Sequence, residues 1–379
     1  MTFFFWAVYA ACCCVAAGGL VFYGLAIAAT RRHRKQAARS GDFAPPITVL
    51  KPLAGLEDNL EENLATFFEQ DYPRYQILFA VRREADPAVP VVRRLLARYP
   101  RHDAELIVTG VPPFPNAKVY SLARMAERAR HDILVISDSD IRADGRCLRG
   151  IAAAFADPRV GVVTCPYRAV PGVSFWSRLE ALTLNTEFWC GVVVARMLEG
   201  MRFAVGPTMA LRREYLERVG GFGATGDYLA EDFVLGQWAS AHGYRAELSA
   251  QVVDHCIGSQ PFGANLRHRI RWARSTRRSR PWGYLGQVFT NPLPFALLVL
   301  AGPAAALGEA VLLGRVIVSA VVAGGLLLDP LTRRYWWLAP AADLASLVVW
   351  VLGFFGNTVE WRGRRYELLR DGRFRLTGG

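Results

Sequence analysis

The feature that most constrains this chain is a long apolar segment at its N-terminus. Residues 2–30 are almost uninterruptedly apolar, and the basic stretch RRHRK follows at residues 31–35. About 20 apolar residues are enough to cross a bilayer as a helix, so we predict a transmembrane anchor here. Basic residues beside a span are retained on the cytoplasmic side, which orients the anchor. A cleaved signal peptide carries its charge before the apolar run, so we expect the anchor to be retained.

Two further apolar regions lie near the C-terminus, at residues 288–328 and 335–355. The first is interrupted at Gly302-Pro303 and at Gly308-Glu309, and two closely spaced spans of about 20 residues each are its simplest interpretation. Three spans after the anchor would put the Arg-rich tail outside the cytoplasm, against the positive-inside tendency. A re-entrant or interfacial segment among them is the open alternative.

The net charge of +12 comes almost entirely from arginine, since only three of the 45 Lys and Arg residues are lysine. The arginines cluster within residues 31–39, 267–280 and 362–375, and each cluster lies close to an apolar region. Such clusters are typical of membrane orientation and of contact with anionic lipids. The chain has no zinc-finger, helix-turn-helix or RNA-binding motif, so we expect no nucleic-acid partner.

The seven cysteines form no C-x-x-C pair and have no histidine at metal-ligand spacing. This pattern indicates structural thiols in a reducing compartment. Three of the cysteines, at residues 12–14, lie inside the N-terminal apolar segment, where a small thiol packs like an apolar group.

Between the apolar regions, strand-like and helix-like segments alternate. Alternation of this kind predicts an α/β domain with a right-handed parallel sheet and helices on both faces. The predicted strands are residues 47–50, 76–81, 104–109, 133–137, 160–165, 203–211 and 246–253. The predicted helices are residues 57–70, 89–99, 117–130, 147–156, 231–242 and the strongly basic 265–279.

The stretch HDILVISDSD, residues 131–140, ends an aliphatic run in two carboxylates. The run predicts a strand buried on both faces of a parallel sheet, and ligand sites in such sheets lie beyond the carboxyl ends of the strands. Asp138 and Asp140 share a face because they are two residues apart. Such a pair suits a hard cation, Mg²⁺ or Mn²⁺, that takes its other ligands from water and a nucleotide diphosphate. Ordinary turn chemistry after a strand is the alternative.

Other charged residues stand at turns and helix starts. Asp86 precedes a proline just after the second predicted strand, and Glu231-Asp232 opens a predicted helix. The helix macrodipole would hold Asp232 ionised. Arg271-Trp272 lies on the basic helix. The alternatives are an ordinary turn, a helix cap and a helix lying at a membrane surface, respectively.

In chain order these motifs resemble the pattern D, D-x-D, E/T-D and Q/R-x-x-R-W of the membrane-bound processive and lipid glycosyltransferases, which have the GT-A fold. More closely, the chain resembles the ceramide glucosyltransferase family and its bacterial relatives in hopanoid biosynthesis. The resemblance covers roughly residues 46–280, and one departure is His268, where the pattern usually has Gln or Arg. The matching stretches are VLKPLAGLEDNLEENLATFFEQDYP, DPAVPVVRRLLARYP, NAKVYSL, ISDSDI, PTMALRREYLERVGGF, AEDFVLGQ and RHRIRWARSTR.

For the donor, the resemblance implies a role for five residues. Asp86 would contact uridine, and Lys118 of the NAK stretch would lie near the nucleotide. Asp138 and Asp140 would form the metal and diphosphate site. Arg271 would close over the diphosphate.

For the acceptor, the resemblance implies that Asp232 is the general base and that Glu231 and Trp272 contact the acceptor. The implied reaction is the inverting transfer of a hexosyl or N-acetylhexosaminyl group from a UDP-sugar to a lipid hydroxyl. The acceptor would be ceramide or a hopanoid polyol such as bacteriohopanetetrol. A polysaccharide-synthesising membrane glycosyltransferase and a non-catalytic membrane scaffold are the alternatives.

The implied fold is an α/β, GT-A nucleotide-sugar domain with a mixed sheet, flanked by N- and C-terminal transmembrane helices. We expect an integral protein of a bacterial cytoplasmic membrane with its catalytic domain in the cytoplasm, because an Arg-rich, Lys-poor chain is typical of a GC-rich bacterial genome. The predicted segments are an anchor (1–30), a basic linker (31–45), the glycosyltransferase domain (46–284), a membrane region (285–357) and a basic tail (358–379).

Overall fold

The computed structural model describes residues 2–37, 43–361 and 363–377. Residues 38–42 of the predicted linker and residues 362, 378 and 379 of the predicted tail lie outside the described residues, and the predicted segment boundaries stay predictions. The chain divides into two units. We call them the helical unit, residues 1–36, 168–200 and 259–371, and the sheet unit, residues 37–167, 201–258 and 372–379.

A seven-stranded sheet forms the centre of the sheet unit, with the strand order β3-β2-β1-β4-β8-β6-β9. Strands β1 to β4 are mutually parallel where they pair, whereas β8 runs antiparallel to both of its neighbours. These strands are β1 (Ile47–Pro52), β2 (Tyr75–Val81), β3 (Asp103–Val108), β4 (Ile133–Ser137), β6 (Val160–Thr164), β8 (Thr208–Arg212) and β9 (Arg245–Leu248). The predicted α/β class with a mixed sheet is confirmed.

Burial explains why these segments are strands. All residues of β1 and β4 are buried, as expected for central strands covered on both faces. The remaining strands of the chain are β5 (Ile141–Arg142), β7 (Tyr167–Pro171), β10 (Val253–Gly258), β11 (Thr358–Trp361), β12 (Arg364–Leu368) and β13 (Phe374–Leu376). Of these, β5 pairs antiparallel with β10, which brings a second segment beside the DSD stretch.

The helices of the sheet unit pack apolar faces against the sheet. Val119, Leu122 and Met125 of α4, for example, are fully buried in the same core cluster as Leu50 and Leu134 of the central strands. These helices are α2 (Leu60–Ala65), α3 (Ala88–Arg98), α4 (Ala117–Arg128), α5 (Cys147–Ala154), α8 (Arg213–Arg218) and α9 (Glu231–Ala241).

Three predicted elements are shorter or divided in the structure. The predicted helix at residues 57–70 is only Leu60–Ala65, since Asn59 before it has a left-handed conformation; beyond its end, the Gln70 side chain donates to the Asp144 carbonyl. The predicted strand at residues 203–211 begins at Thr208, since Pro207 before it has no N–H for a ladder. The predicted strand at residues 246–253 is two strands, β9 and β10, which belong to different sheets.

The helical unit contains the apolar helices. Helix α1 (Thr2–Ala37) contains the N-terminal apolar segment and continues through the basic stretch. The other helices are α6 (Phe175–Thr183), α7 (Trp189–Glu199), α10 (Phe262–Ser279), α11 (Pro281–Gly286), α12 (Leu293–Val299), α13 (Ala305–Gly325), α14 (Pro330–Tyr335) and α15 (Ala339–Gly353). A five-residue π-helical turn, Leu184–Phe188, joins α6 to α7.

Three helical segments among the described residues are long and apolar enough to cross a membrane: Thr2–Gln36, Ala305–Gly325 and Pro330–Gly353. The prediction of two spans within residues 288–328 is therefore wrong. Its first half forms α12, which has seven residues and reaches only about 10 Å, well short of a bilayer. Two membrane-length segments therefore follow residue 258 among the described residues, instead of the three that were predicted.

A buried ion pair joins two of these spans. Arg315 of α13 donates two hydrogen bonds to Asp343 of α15, at 2.8 and 2.7 Å, and also donates to Thr186 at 3.1 Å. Both charged side chains are at most 4% exposed. Charges within apolar spans are costly unless paired in this way, so the pair fixes the register of α13 against α15.

All seven cysteines are free thiols, as predicted.

Candidate active site

The carboxyl ends of the parallel strands gather the predicted acidic residues at one edge of the sheet. Asp138 and Asp140 follow β4 directly, and Asp86 lies in the loop after β2. Asp86 accepts hydrogen bonds from the backbone N–H groups of Gly55 and Ala88, at 3.0 and 2.9 Å. It therefore ties the loop after β1 to the loop after β2. These hydrogen bonds are typical of an aspartate in a turn, and the contact of Asp86 with uridine stays a prediction.

Lys118 connects two of the carboxylates. Its ammonium group lies 2.8 Å from Asp138 Oδ1 and 3.0 Å from Glu231 Oε1. Burial opposes the charge on Lys118, but the two carboxylates outweigh it and raise its pKa above the ordinary value. The first turn of α4 places the lysine here, and Asn116 caps that turn by accepting from the Val119 N–H. Lys118 thus lies beside the DSD stretch, and its predicted role near the nucleotide stays a prediction.

The two aspartates of the DSD stretch have different surroundings. Burial raises the pKa of Asp138, and the nearby Asp140 adds to the effect of burial. Burial also acts to raise the pKa of Asp140, but the charge and hydrogen bond of His255 outweigh it, so this pKa lies below its ordinary value. The His255 Nε2 atom lies 3.0 Å from Asp140 Oδ2. The side chains are 33% and 27% exposed, respectively, so a ligand can reach both.

Lys51 contacts the end of β4 and the DSD stretch, and it was not predicted as a site residue. Its ammonium group donates to the Asp138 carbonyl at 2.5 Å and to Ser137 Oγ at 3.3 Å. It also lies 4.0 Å from the centre of the Phe67 ring. The side chain is completely buried, and burial lowers its pKa to about 7 even though Asp138 and Asp140 favour the charged form.

Glu231 and Asp232 open α9, but their carboxylates are used differently. The Glu231 oxygens are engaged by Lys118 and by Asn116, whose amide donates at 3.2 Å. Asp232 instead lies against Gly206, where an added Cβ would come within 2.6 Å of Asp232 Oδ2 and would have to displace the carboxylate. Burial and then Glu231 raise the pKa of Asp232 to about 7, and the expectation that the macrodipole keeps it ionised is wrong.

Arg271 and Trp272 lie on α10 in the helical unit. Trp272 contacts His268 edge to face, with ring centroids 4.8 Å apart. His268 Nδ1 lies 3.3 Å from Glu180, a buried carboxylate of α6 that also accepts a hydrogen bond from Asn265. His268, the departure from the pattern, thus links the Trp272 ring to a buried charge. The roles of Arg271 and Trp272 over the donor and acceptor stay predictions.

The arrangement in the sheet unit fits a hard divalent cation. Asp140 Oδ1 is buried and has no hydrogen-bond partner among the described residues, so an acceptor atom is left for a ligand. Residues 2–37, 43–361 and 363–377 contain no group of three or more His, Cys, Asp or Glu side chains placed to hold a metal. Mg²⁺ needs only one or two protein carboxylates when phosphate oxygens and water complete its shell. Asp138 and Asp140 meet that need.

The sequence did not predict three of the site residues: Lys51, Asn116 and His255. Lys51 and Asn116 lie in the stretches VLKPL and NAKVYSL, which belong to the resemblance described above. The rarity of lysine was a usable signal for Lys51. His255 lies 115 residues from Asp140, and no local pattern connects the two.

Comparison with known families gives a match over nearly the whole chain. The model of glycosyl transferase family 21 matches residues 11–374. Ceramide glucosyltransferase 3 of Caenorhabditis elegans is 23% identical over 362 residues, which cover 92% of this chain and 78% of that protein. Ceramide glucosyltransferase 1 of the same organism is 29% identical over 207 residues, which cover 54% of this chain and 44% of that protein.

Among solved structures, the chain is similar to the mannosyltransferase PcManGT from Pyrobaculum calidifontis in complex with GDP-Man and Mn²⁺. The identity is 22% and the TM-score is 0.47, with 89% of this chain and 99% of that chain covered. The predicted resemblance to ceramide glucosyltransferases is confirmed by the family match, whereas the hopanoid-linked branch stays a prediction.

Proposed function

The chain belongs to glycosyl transferase family 21 and is a glycosyltransferase, and we propose that it moves a sugar from a UDP-sugar to a hydroxyl group of a membrane lipid with inversion. The observation that carries this proposal is the cluster at the carboxyl end of β4. There, Asp138, Lys118 and Glu231 form one chain of ion pairs beside Asp140 and Asp232. A carboxylate pair for a cation and a separate carboxylate for a proton are the two parts that such a transfer needs.

On the donor side, Asp138 and Asp140 would hold Mg²⁺ or Mn²⁺, which neutralises charge on the departing diphosphate. The unpartnered Asp140 Oδ1 supports this assignment. Lys118 presents a positive charge to the same ligand, and Asp86 fixes the loops that would border the uridine. Arg271 is assigned to the diphosphate by its motif alone.

On the acceptor side, Asp232 is the proposed general base. A group with a pKa near the working pH combines a usable fraction of the basic form with enough basicity to take a proton, and the pKa of Asp232 is about 7. Glu231 is less suited to this task because Lys118 and Asn116 engage both of its oxygens. We retain Glu231 and Trp272 as proposed acceptor contacts.

The acceptor is proposed to be a lipid because the described residues include three helical segments long and apolar enough to cross a membrane. The lipid is ceramide or a hopanoid polyol, and ceramide gains support from the names of the relatives. We further propose that the sheet unit faces the cytoplasm of a bacterial inner membrane. The basic stretch at residues 31–35 supports this orientation.

The test uses purified full-length protein in detergent or nanodiscs with Mn²⁺. Candidate UDP-sugars are supplied with ceramide or with a bacteriohopane polyol, and UDP release and glycolipid are both quantified. Transfer to either lipid with inverted anomeric configuration supports the proposal, and the acceptor used decides between the two lipids. Binding of UDP without release from any UDP-sugar would instead favour the non-catalytic scaffold.

A further inference from the structure

The last described residues of the chain return to the sheet unit and pair with the loop in front of Glu231. Residues 372–377, which we call the C-terminal segment, include β13. Arg373 forms an antiparallel bridge with Tyr228, and the Phe374 N–H donates to the Asp227 carbonyl at 2.8 Å. The segment therefore forms backbone contacts three and four residues before the glutamate.

Side chains strengthen this contact. The Arg373 guanidinium lies 5.5 Å from the centre of the Tyr228 ring, and its Nε donates to the Tyr228 hydroxyl at 3.3 Å. Phe374 is only 2% exposed, although it lies near the end of the chain. Tyr228 in turn meets Trp238 of α9 edge to face at 6.0 Å. The C-terminal segment thus contacts the loop that leads into α9 and, through Tyr228, α9 itself.

The opposite side of the same loop is fixed by Asn116. Its backbone N–H donates to the Gly226 carbonyl at 3.0 Å, and its side-chain amide donates to the Tyr228 carbonyl at 2.8 Å and to Glu231 at 3.2 Å. The loop at residues 226–230 is therefore held between Asn116 and the C-terminal segment. Glu231 and Asp232 follow the loop without a break, so its position sets theirs.

We propose that the C-terminal segment is a positioning element of the active site, with Phe374 and Arg373 as its positioning residues. They keep the loop at residues 226–230 in the one conformation that places Asp232 for the acceptor proton. The proposal rests on the proposed function, since it gives the segment a task in that reaction.

The experiment compares three single variants of the full-length protein. Phe374→Ala removes the buried ring, Phe374→Leu keeps an apolar side chain of similar size, and Leu376→Ala changes a neighbouring residue that is 50% exposed. A displaced catalytic group typically costs up to about 100-fold in rate, so kcat of Phe374→Ala should fall about 10- to 100-fold. The affinity for Mn²⁺–UDP should fall less than kcat, because Asp138 and Asp140 lie on the loop after β4 and only Lys118 joins Asp138 to Glu231. Phe374→Leu should recover most of kcat, and Leu376→Ala should match wild type.

Hydrogen exchange gives a readout that does not depend on activity. In Phe374→Ala, peptides covering residues 226–232 should exchange faster, while peptides covering β1 should not change. Normal kcat in Phe374→Ala, or equal losses of kcat and Mn²⁺–UDP affinity, would overturn the positioning role. If the wild-type protein transfers no sugar, the proposed function fails by itself, and unchanged exchange at residues 226–232 would then separately overturn the contact's control of the loop.

Discussion

Replacing Asp232 by Asn separates proton transfer from donor binding. The substitution keeps the size of the side chain and its place against Gly206, and it leaves Asp138 and Asp140 unchanged. It removes the only group that we propose to accept the proton of the acceptor hydroxyl. Positioned proton transfer typically contributes about 10²–10⁴-fold to a rate, so kcat should fall by that factor.

The pH dependence follows from the raised pKa of Asp232. Because that pKa is about 7, the carboxyl is mostly protonated below pH 7 and cannot accept a proton. Wild-type kcat should therefore rise as pH increases through about 7, changing roughly tenfold per pH unit on the acid side, and level off above it. The Asp232→Asn enzyme should lack this rise.

The same shift predicts the effect on stability. A carboxyl whose pKa is raised in the folded state stabilises the fold only while it is protonated. This contribution is complete below the ordinary pKa of 3.8 and is lost as the pH rises through about 7. Asn never ionises, so the Tm of Asp232→Asn at pH 8 should be no lower than that of wild type. A loss of activity at unchanged Tm then reflects chemistry and not unfolding.

The assay measures glycolipid formation from pH 5.5 to 9, with Mn²⁺–UDP affinity measured by calorimetry on the same preparations. Asp227→Asn is the matched control, since it makes the same change at an exposed position in the preceding loop. Glu231→Gln tests the neighbouring carboxylate. Near-normal kcat in Asp232→Asn, together with a collapse in Glu231→Gln, would refute our reasoning and make Glu231 the base.

Three further predictions concern the metal site, the acceptor and the topology. Asp138→Asn and Asp140→Asn should each abolish Mn²⁺-dependent UDP binding in calorimetry, because a neutral amide replaces an anionic ligand of a hard cation; full affinity in both would exclude the metal assignment. Trp272→Ala should raise the acceptor KM at least as clearly as it lowers kcat, since an aromatic surface is lost, and an unchanged KM would contradict the acceptor contact. In spheroplasts of a bacterial host, with native cysteines removed, Phe3→Cys should react with an impermeant thiol reagent and Leu328→Cys should not, because Phe3 lies at the apolar end of α1 whereas α13 ends beside Arg34 at its basic end; the reverse pattern would overturn the orientation.

The parts of the fold that the sequence predicted correctly are those that local patterns determine. The aliphatic run before Asp138 is β4, with all five residues buried, and it delivers the two carboxylates to the edge where ligands bind. The basic helix was also predicted and begins at Phe262, only three residues before the expected start. In both cases, the periodicity and the burial of a single segment are enough to determine its secondary structure.

The errors arose where a distant contact decides the local structure. The predicted helix at residues 57–70 ends at Ala65, and the Gln70 side chain beyond it donates to the carbonyl of Asp144, 74 residues further along the chain. The backbone at Gly206 remains outside β8 and approaches the carboxylate of Asp232, which lies on another element. Apolar composition alone likewise made residues 288–304 look like a span, although the chain folds them into the short helix α12. The sequence around each of these residues does not indicate which distant residue it will contact.

The few lysines of this chain also point to the site, which the sequence predictions did not use. Only three of the 45 Lys and Arg residues are lysine, yet two of them, Lys51 and Lys118, contact Asp138. Their environments explain why arginine does not serve there. Lys51 fits between a carbonyl oxygen and the Phe67 ring, where a compact ammonium has partners but the five donors of a guanidinium would not all be satisfied. In this chain, two of the three lysines therefore lie where a compact ammonium group fits beside Asp138, whereas the third, Lys35, is exposed.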